Sequence, residues 1–374
     1  MASLRKVTYP VFKSNQPDDS FKFKPLPEPT GKDPFHLDVH TVLPAIDAEK
    51  MVFHMVGDTG SLHGGHFQRV VADEMRRQYL EAPALADKPQ FLYHLGDVVY
   101  SFGEAANYYP QFFDPYRNYP GPVFAIPGNH DGEINPAATP YNSLDAFMKV
   151  FCDVEPRPVL FSGDVNRKSM IQPNVYWTLE TPLANMIGLY GNVTKFGMIT
   201  AQQRDWFIRE LKNARLQRPG KALIVCVHHA PYSADTNHGA SAYMIEFLEK
   251  AFTESGVRPD IVFSGHVHNY QRFSRHYADG SIVPFIVAGA GGYDDLHSLV
   301  IEGDKNFTAD SLLTGQVRLE KFCDNRHGFL KITIEKAGKG VLLTGEYFSI
   351  PHESSPGEKA TSILTDKFEI TCLG

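Results

Sequence analysis

Several things are scarce in this 374-residue chain, and each scarcity removes a class of function. Cysteine occurs only four times, at Cys152, Cys226, Cys323 and Cys372, far apart and with no C-x-x-C pair. That excludes a disulfide framework and a thiolate zinc site. Cys226 lies in an apolar, strand-like run and reads as a buried thiol. Positive charge is not in excess: 36 Lys and Arg face 43 Asp and Glu, for a formal charge of −7, which argues against a broad electrostatic grip on nucleic acid. It does not argue against a phosphorylated substrate, because bound metal ions reverse the local field. No apolar run approaches the length of a membrane span, and the leading residues Met-Ala-Ser-Leu-Arg-Lys-Val lack the apolar core of a signal peptide. A cytoplasmic, reduced protein without membrane or nucleic-acid partners is the expectation. Internal repeats and low-complexity tracts are missing as well.

What remains is ordinary globular composition, 43% hydrophobic and 21% charged. Residues 1–50 are rich in proline (Pro10, Pro17, Pro25, Pro27, Pro29, Pro34, Pro44) and poor in periodicity, so they read as an extended arm or edge. Residues 51–374 read as one catalytic domain. Five apolar runs there end in polar residues: Met51–Val56 before Gly57-Asp58, Phe91–Leu95 before Gly96-Asp97, Pro122–Ile126 before Gly128-Asn129-His130-Asp131, Ala222–Val227 before His228-His229, and Ile261–Phe263 before Gly265-His266-Val267-His268. Helical spacing separates them, from Phe67 to Tyr79, from a Thr200/Gln203 capping box through Trp206, Phe207 and Leu211, and from Ala242 to Phe252. Strands alternating with helices predict an α/β sheet with covered faces. Glycine-punctuated β-type runs at Gly328–Ile334 and Gly340–Phe348 predict hairpins completing a sheet. The Pro- and Gly-rich stretches of 136–140 and 156–173 suggest an excursion walling the site.

Polar residues collected at strand ends are how an open α/β sheet builds a site. Carboxylate oxygens and imidazole nitrogens suit iron, zinc and manganese. A carboxylate has two oxygens and can bridge two ions, and two imidazoles at i and i+2 across a glycine turn can address both. Two such ions clamp the attacking and leaving oxygens of an in-line displacement. Gly-Asp alone means little, whereas Gly-Asn-His-Asp and Gly-His-Val-His in this order are rare together.

These motifs, from Met51 to Gly292, resemble the calcineurin-like metallophosphoesterase superfamily. Asp58-Thr59-Gly60 departs from the usual Asp-x-His opening, and Gly96-Asp97-Val98-Val99-Tyr100 places a tyrosine three residues after the second Asp. Both departures are similar to the purple acid phosphatase branch, as are Gly265 to Arg272 and Val287 to Gly292. The resemblance implies a four-layer αββα sandwich of two mixed β-sheets flanked by helices. It implies Fe(III) on Asp58, Tyr100 and His268, a bridging Asp97, and Fe(II), Zn(II) or Mn(II) on Asn129, His228 and His266. His130 would face the phosphate, with Asp131 orienting its imidazole, and His238 would protonate the leaving alcohol. His228 competes with His229: a His-x-Pro register matches His229, whereas the downstream Tyr232-Ser233 matches His228, which is preferred. The implied activity is hydrolysis of a small phosphate monoester by a metal-activated hydroxide. A phosphodiesterase acting on cyclic nucleotides or phospholipid head groups shares the same metal core, and a scaffold that has lost its metals would show a broken ligand set.

Other features have plainer readings. His54 and His94 lie within strand-like runs and read as core residues, as do Trp177 and Trp206. His63 and His66 head a helix, Glu104 follows Tyr100 toward a pocket, and the aromatic cluster at 108–115 reads as packing.

Overall fold

The computed structural model describes residues 5–311, 313, 315–351 and 362–372; the first four residues of the arm lie outside that set. Two mixed sheets form the middle of the molecule. The six-stranded sheet runs, edge to edge, Ile363–Cys372, Gly340–Ser349, Gly328–Ala337, Lys50–Val56, Leu92–His94 and Val123–Ala125. Its first three strands are antiparallel hairpins, joined to Lys50–Val56 at a register of Ile332 opposite Phe53, and its last three strands are parallel. The eight-stranded sheet runs Val317–Cys323, Tyr270–His276, Ile282–Ala288, Ile261–Ser264, Ala222–Val227, Ala184–Leu189, Trp177–Glu180 and His36–Asp38. Its four central strands, from Ile282–Ala288 to Ala184–Leu189, are parallel. A separate pair joins Val11–Lys13 to Phe307–Ala309.

The parallel strands are continuous apolar runs because both of their faces are covered. Every residue of Ala222–Val227 is buried. The sheets pack face to face through large rings: Tyr270 stacks on Tyr347 at 3.9 Å between centroids, and Trp177 lies against Tyr93 and Phe124 while its indole N–H donates to Ala125 O. Helix His66–Leu80 covers the six-stranded sheet, and helices Ala201–Arg215 and Ala242–Ser255 cover the other, touching through Phe207 and Phe247. This is the four-layer αββα sandwich. No described helix is long and apolar enough to cross a membrane.

Local signals set the helix ends. Thr200 Oγ1 accepts from Gln203 N–H, and Ser241 Oγ accepts from Met244 N–H, each satisfying an amide that the first turn leaves free. Gly256 ends the later helix at φ +68°, the left-handed conformation glycine adopts at a helix C-terminus. The capping box is only half made: the Gln203 amide turns away to bond both backbone groups of Tyr190, tying helix to sheet. The proline-rich arm supplies the edge strand His36–Asp38, pairing parallel with Trp177–Glu180. His36 fixes it there through Glu180 at 3.0 Å and the buried Glu210 at 2.6 Å.

Candidate metal centre

The loops that follow strands Lys50–Val56, Leu92–His94, Val123–Ala125, Ala222–Val227 and Ile261–Ser264 meet where the two sheets open at one end. Close approach requires the motif glycines. Gly96 has φ +96°, and a Cβ there would stand 2.6 Å from Gly128 N and 2.7 Å from His228 Nδ1. A Cβ on Gly265 would stand 2.5 Å from Asp58 Oδ2. Asp58, Asp97 and His266 themselves hold positive φ (57°, 53° and 68°), a conformation non-glycine residues avoid. Strain at three neighbouring polar residues marks a site that the surrounding fold over-determines.

Two groups of donor atoms result. Tyr100 Oη lies 3.1 Å from Asp58 Oδ1 and 3.2 Å from His268 Nε2, and His268 Nε2 lies 3.7 Å from Asp58 Oδ1. Beside them, one ligand atom each of Asp97, His228 and His266 fall within 4.8 Å of one another. His228 Nε2 faces Asp97 Oδ2 at 3.2 Å and Asp58 Oδ1 at 4.0 Å, so the two groups adjoin. The imidazoles are oriented from behind: His228 Nδ1 donates to Leu95 O at 2.9 Å and His268 Nδ1 to Asp295 O at 3.0 Å. That arrangement leaves each Nε2 lone pair pointing inward.

The fit to metal ions rests on orphaned atoms. Asn129 Oδ1 and His266 Nε2 are buried without hydrogen-bond partners, and His228 Nε2 meets only the carboxylates of Asp97 and Asp58. Each such atom costs about 1–3 kcal/mol if nothing receives it. Electrostatics point the same way. Burial, helped by the charge of Asp97, pushes Asp58 well above the carboxylate range. Burial with the charges of Asp58 and Asp97 also pushes the Tyr100 phenol up. Burial opposes a charged His228, but Asp97 and Asp58 outweigh it and raise its pKa to about 9. His266 and His268 are driven down, first by burial and then by neighbouring histidines. Cations among these oxygens and nitrogens would relieve every one of these conflicts.

His229 points elsewhere: its Nε2 donates to Thr194 O at 2.8 Å and its ring lies against Gly191. His130 is half-buried at the pocket wall, its Nδ1 donating to Ser101 O at 2.8 Å. Asp131 does not hold the His130 ring as the sequence suggested. Its carboxylate accepts from Val98 N–H (3.0 Å), Val99 N–H (3.3 Å) and Gly128 N–H (2.8 Å), binding the Asp97 loop to the Asn129 loop. His94 braces the first two motifs, with Nε2 2.9 Å from Thr59 Oγ1 and Nδ1 accepting from Gly96 N–H. His54 is a core residue bonded to Tyr119 and Gln78.

A cleft of about 220 Å³ opens over the donors, lined by Asp97, Tyr100, His130, His238, His266 and His268 together with Asn237, Tyr293, Asp295 and His297. The 136–173 excursion contributes nothing to this lining. The 289–297 loop does. His297 stacks on His268 at 4.2 Å, and its Nδ1 lies 3.2 Å from Asp235 Oδ2. The fully buried Asp235 also accepts from the backbone N–H groups of Asn237, His238 and Gly239, so it fixes the loop that presents His238. Burial holds His238 down to about 3, against the pull of Asp235, leaving it neutral in the free site. Sequence reading missed Asp235 and His297. Ser-x-Asp before Asn-His was the visible hint for the first, whereas nothing around Leu296-His297-Ser298 signalled the second.

A family model described as calcineurin-like phosphoesterase matches residues 51–270. The chain is also similar to three proteins of Arabidopsis thaliana. It is 28% identical to purple acid phosphatase 15 over 54% of this chain and 35% of that protein. It is 31% identical to purple acid phosphatase 22 over 33% and 29%, and 34% identical to probable purple acid phosphatase 20 over 28% and 24%. The matched stretches thus span about a quarter to a third of the length of these relatives. The Vps29 structure from Chaetomium thermophilum aligns with a TM-score of 0.36 and 8% identity, over 86% of this chain and 99% of that one.

Proposed function

Because the chain belongs to the calcineurin-like phosphoesterase family, we propose that it is a two-metal hydrolase of phosphate monoesters, of the purple acid phosphatase kind. The observation that carries this reading is the pairing of two donor sets: the Tyr100, Asp58, His268 cluster, and the Asp97, His228, His266 group beside the orphaned Oδ1 of Asn129. Asp58, Tyr100 and His268 would hold Fe(III), since a hard ferric ion favours phenolate and carboxylate oxygen. Asn129, His228 and His266 would hold Fe(II), Zn(II) or Mn(II), with Asp97 shared. When bound, two such ions supply Lewis acidity and make water nucleophilic at neutral pH.

The protein's own groups do the rest. His130, anchored at Nδ1 by Ser101, offers Nε2 to a phosphoryl oxygen. Asn129, the preceding residue, would add its amide N–H groups to the same charge. His238 is neutral in the free site, and a neighbouring phosphate anion raises its pKa so that it can take up a proton and return it to the leaving oxygen. Four buried cysteines, all free, support a reducing, cytoplasmic setting.

The reading is tested with purified protein by elemental analysis, visible spectroscopy and turnover of an aryl phosphate monoester beside its diester. Two metals per chain, a tyrosinate-to-iron absorption band that Tyr100→Phe abolishes, and faster monoester turnover are expected. A colourless, iron-free, fully active enzyme would remove the Tyr100–iron assignment, and a preference for the diester would remove the monoesterase.

A further inference from the structure

The 136–173 excursion, which takes no part in the cleft, folds back on itself and walls a second cavity. Backbone bridges tie Cys152 to Ile171 and Pro158 to Lys168, and the Gln172 amide bonds both backbone groups of Ala125, at 2.8 and 2.9 Å. The excursion thereby covers the edge strand Val123–Ala125, and a cavity of about 340 Å³ lies between it and Pro120–Val123. Asn129 follows the other end of that strand, and no residue that lines the cleft lines this cavity. Val42, Phe112, Phe151 and Met170 give it apolar walls. Its charged lining is Arg167 and Lys168, with no carboxylate.

Arg167 is fixed in place as a cation without a counter-charge. Its Nη1 donates to Gly121 O at 3.0 Å, and its Nη2 to Tyr116 O at 3.2 Å and Tyr119 O at 2.8 Å. Three bonds to neutral carbonyls leave two of its five N–H groups unused, and the Nε is buried with no partner. The carboxylates of the surrounding segment are engaged elsewhere, Asp153 and Glu155 by Arg157 and Asp164 by Arg117. Neither Arg167 nor Lys168 has an ion-pair partner among the described residues, whereas Arg272 meets Asp366 at 2.7 Å and Arg275 meets Glu249 at 3.2 Å. Burial holds the Arg167 pKa below its ordinary value, opposed only by Tyr119. A charge buried in this way is costly until an anion meets it. The planar guanidinium matches a carboxylate, and the Phe112 and Phe151 rings suit a flat hydrocarbon body better than a strongly hydrated phosphate. The volume lies at the small end of ligand cavities, roughly 300–1,000 Å³.

We propose that this cavity is a binding site for a small aromatic carboxylate, its carboxylate meeting Arg167 and its ring lying among Phe112, Phe151 and Met170. The site is separate from the cleft, so its occupant is not the ester hydrolysed there, and the proposal stands or falls independently of the phosphatase reading. The probe is 4-bromobenzoate, with the uncharged 4-bromobenzamide beside it, on the metal-loaded protein. Crystals grown with the benzoate should show the anomalous signal of bromine inside this cavity. By calorimetry the benzoate should bind about tenfold more tightly than the amide, the difference expected when a hydrogen bond gains a charged partner. Met170→Trp, which fills the cavity, should abolish that preference, whereas the remote Lys339→Gln should leave it unchanged. Bromine absent from the cavity or present only among the metal donors, equal affinity for the two compounds, or a preference that survives in Met170→Trp overturns the proposal. The bromine position and the wild-type affinities decide even if the Met170 variant fails to fold.

Discussion

The Asp131 clamp gives the sharpest test of how the site is held together. One carboxylate accepts three buried backbone amides, from Val98, Val99 and Gly128, and those amides flank Asp97 and Asn129. In Asp131→Ala all three amides lose their acceptor, at about 1–3 kcal/mol each before relaxation, so a destabilisation of about 3–5 kcal/mol is expected. Asp131→Asn keeps one oxygen but turns an NH2 group toward an amide N–H, so at least one of the three is left facing a donor. Against that loss, the substitution removes a buried charge whose pKa burial and Asp97 raise to about 7, which returns part of the energy. The balance is a loss of about 2 kcal/mol for Asn. Urea unfolding of metal-depleted protein measures this without the stabilisation that bound ions add. The stability order should be wild type, then Asn, then Ala, with metal retention on dialysis falling in the same order because Asp97 and Asn129 lose their relative placement. An Asp131→Ala protein as stable as the wild type and retaining both metals would refute the clamp.

Three more outcomes follow from the geometry. His228→Ala should lose about one metal per chain by elemental analysis, whereas His229→Ala should keep both; the reverse would return the ligand role to His229. Asp235→Asn should slow alkyl phosphates at least about tenfold more than 4-nitrophenyl phosphate, because only poor leaving groups need the proton that His238 supplies; equal slowing would mean that Asp235 merely supports the fold. Burial opposes charge on His36, but its hydrogen bonds to Glu180 and Glu210 and their charges prevail and raise its pKa from 6.5 to about 9. The resulting stabilisation is complete below pH 6.5 and is lost as pH rises through about 9, worth ~1–2 kcal/mol after solvent screening, so the wild-type urea midpoint should fall between pH 6 and 9.5 more than that of His36→Gln.

By itself the sequence determined what depends on chemistry and near neighbours. Donor types at strand ends named the metal candidates, Thr200 announced a helix start, and Gly265 signalled a tight turn. The two strands of one hairpin were visible as Gly328–Ile334 and Gly340–Phe348, and they extend to Ala337 and Ser349. Tertiary structure decided whatever depends on which face of a sheet meets which loop. His228 and His229 are neighbours on one chain, so successive side chains diverge, and only the packed sheet shows which of them meets Asp97. Asp131 was read through its neighbour His130, yet its partners lie more than thirty residues away at Val98 and Val99. His297 joins the site through Asp235, 62 positions earlier, and no local pattern can signal a contact that exists only once two distant loops are brought together. The arm shows the same division: its composition marked it as extended, while its pairing beside Trp177–Glu180 came from the fold.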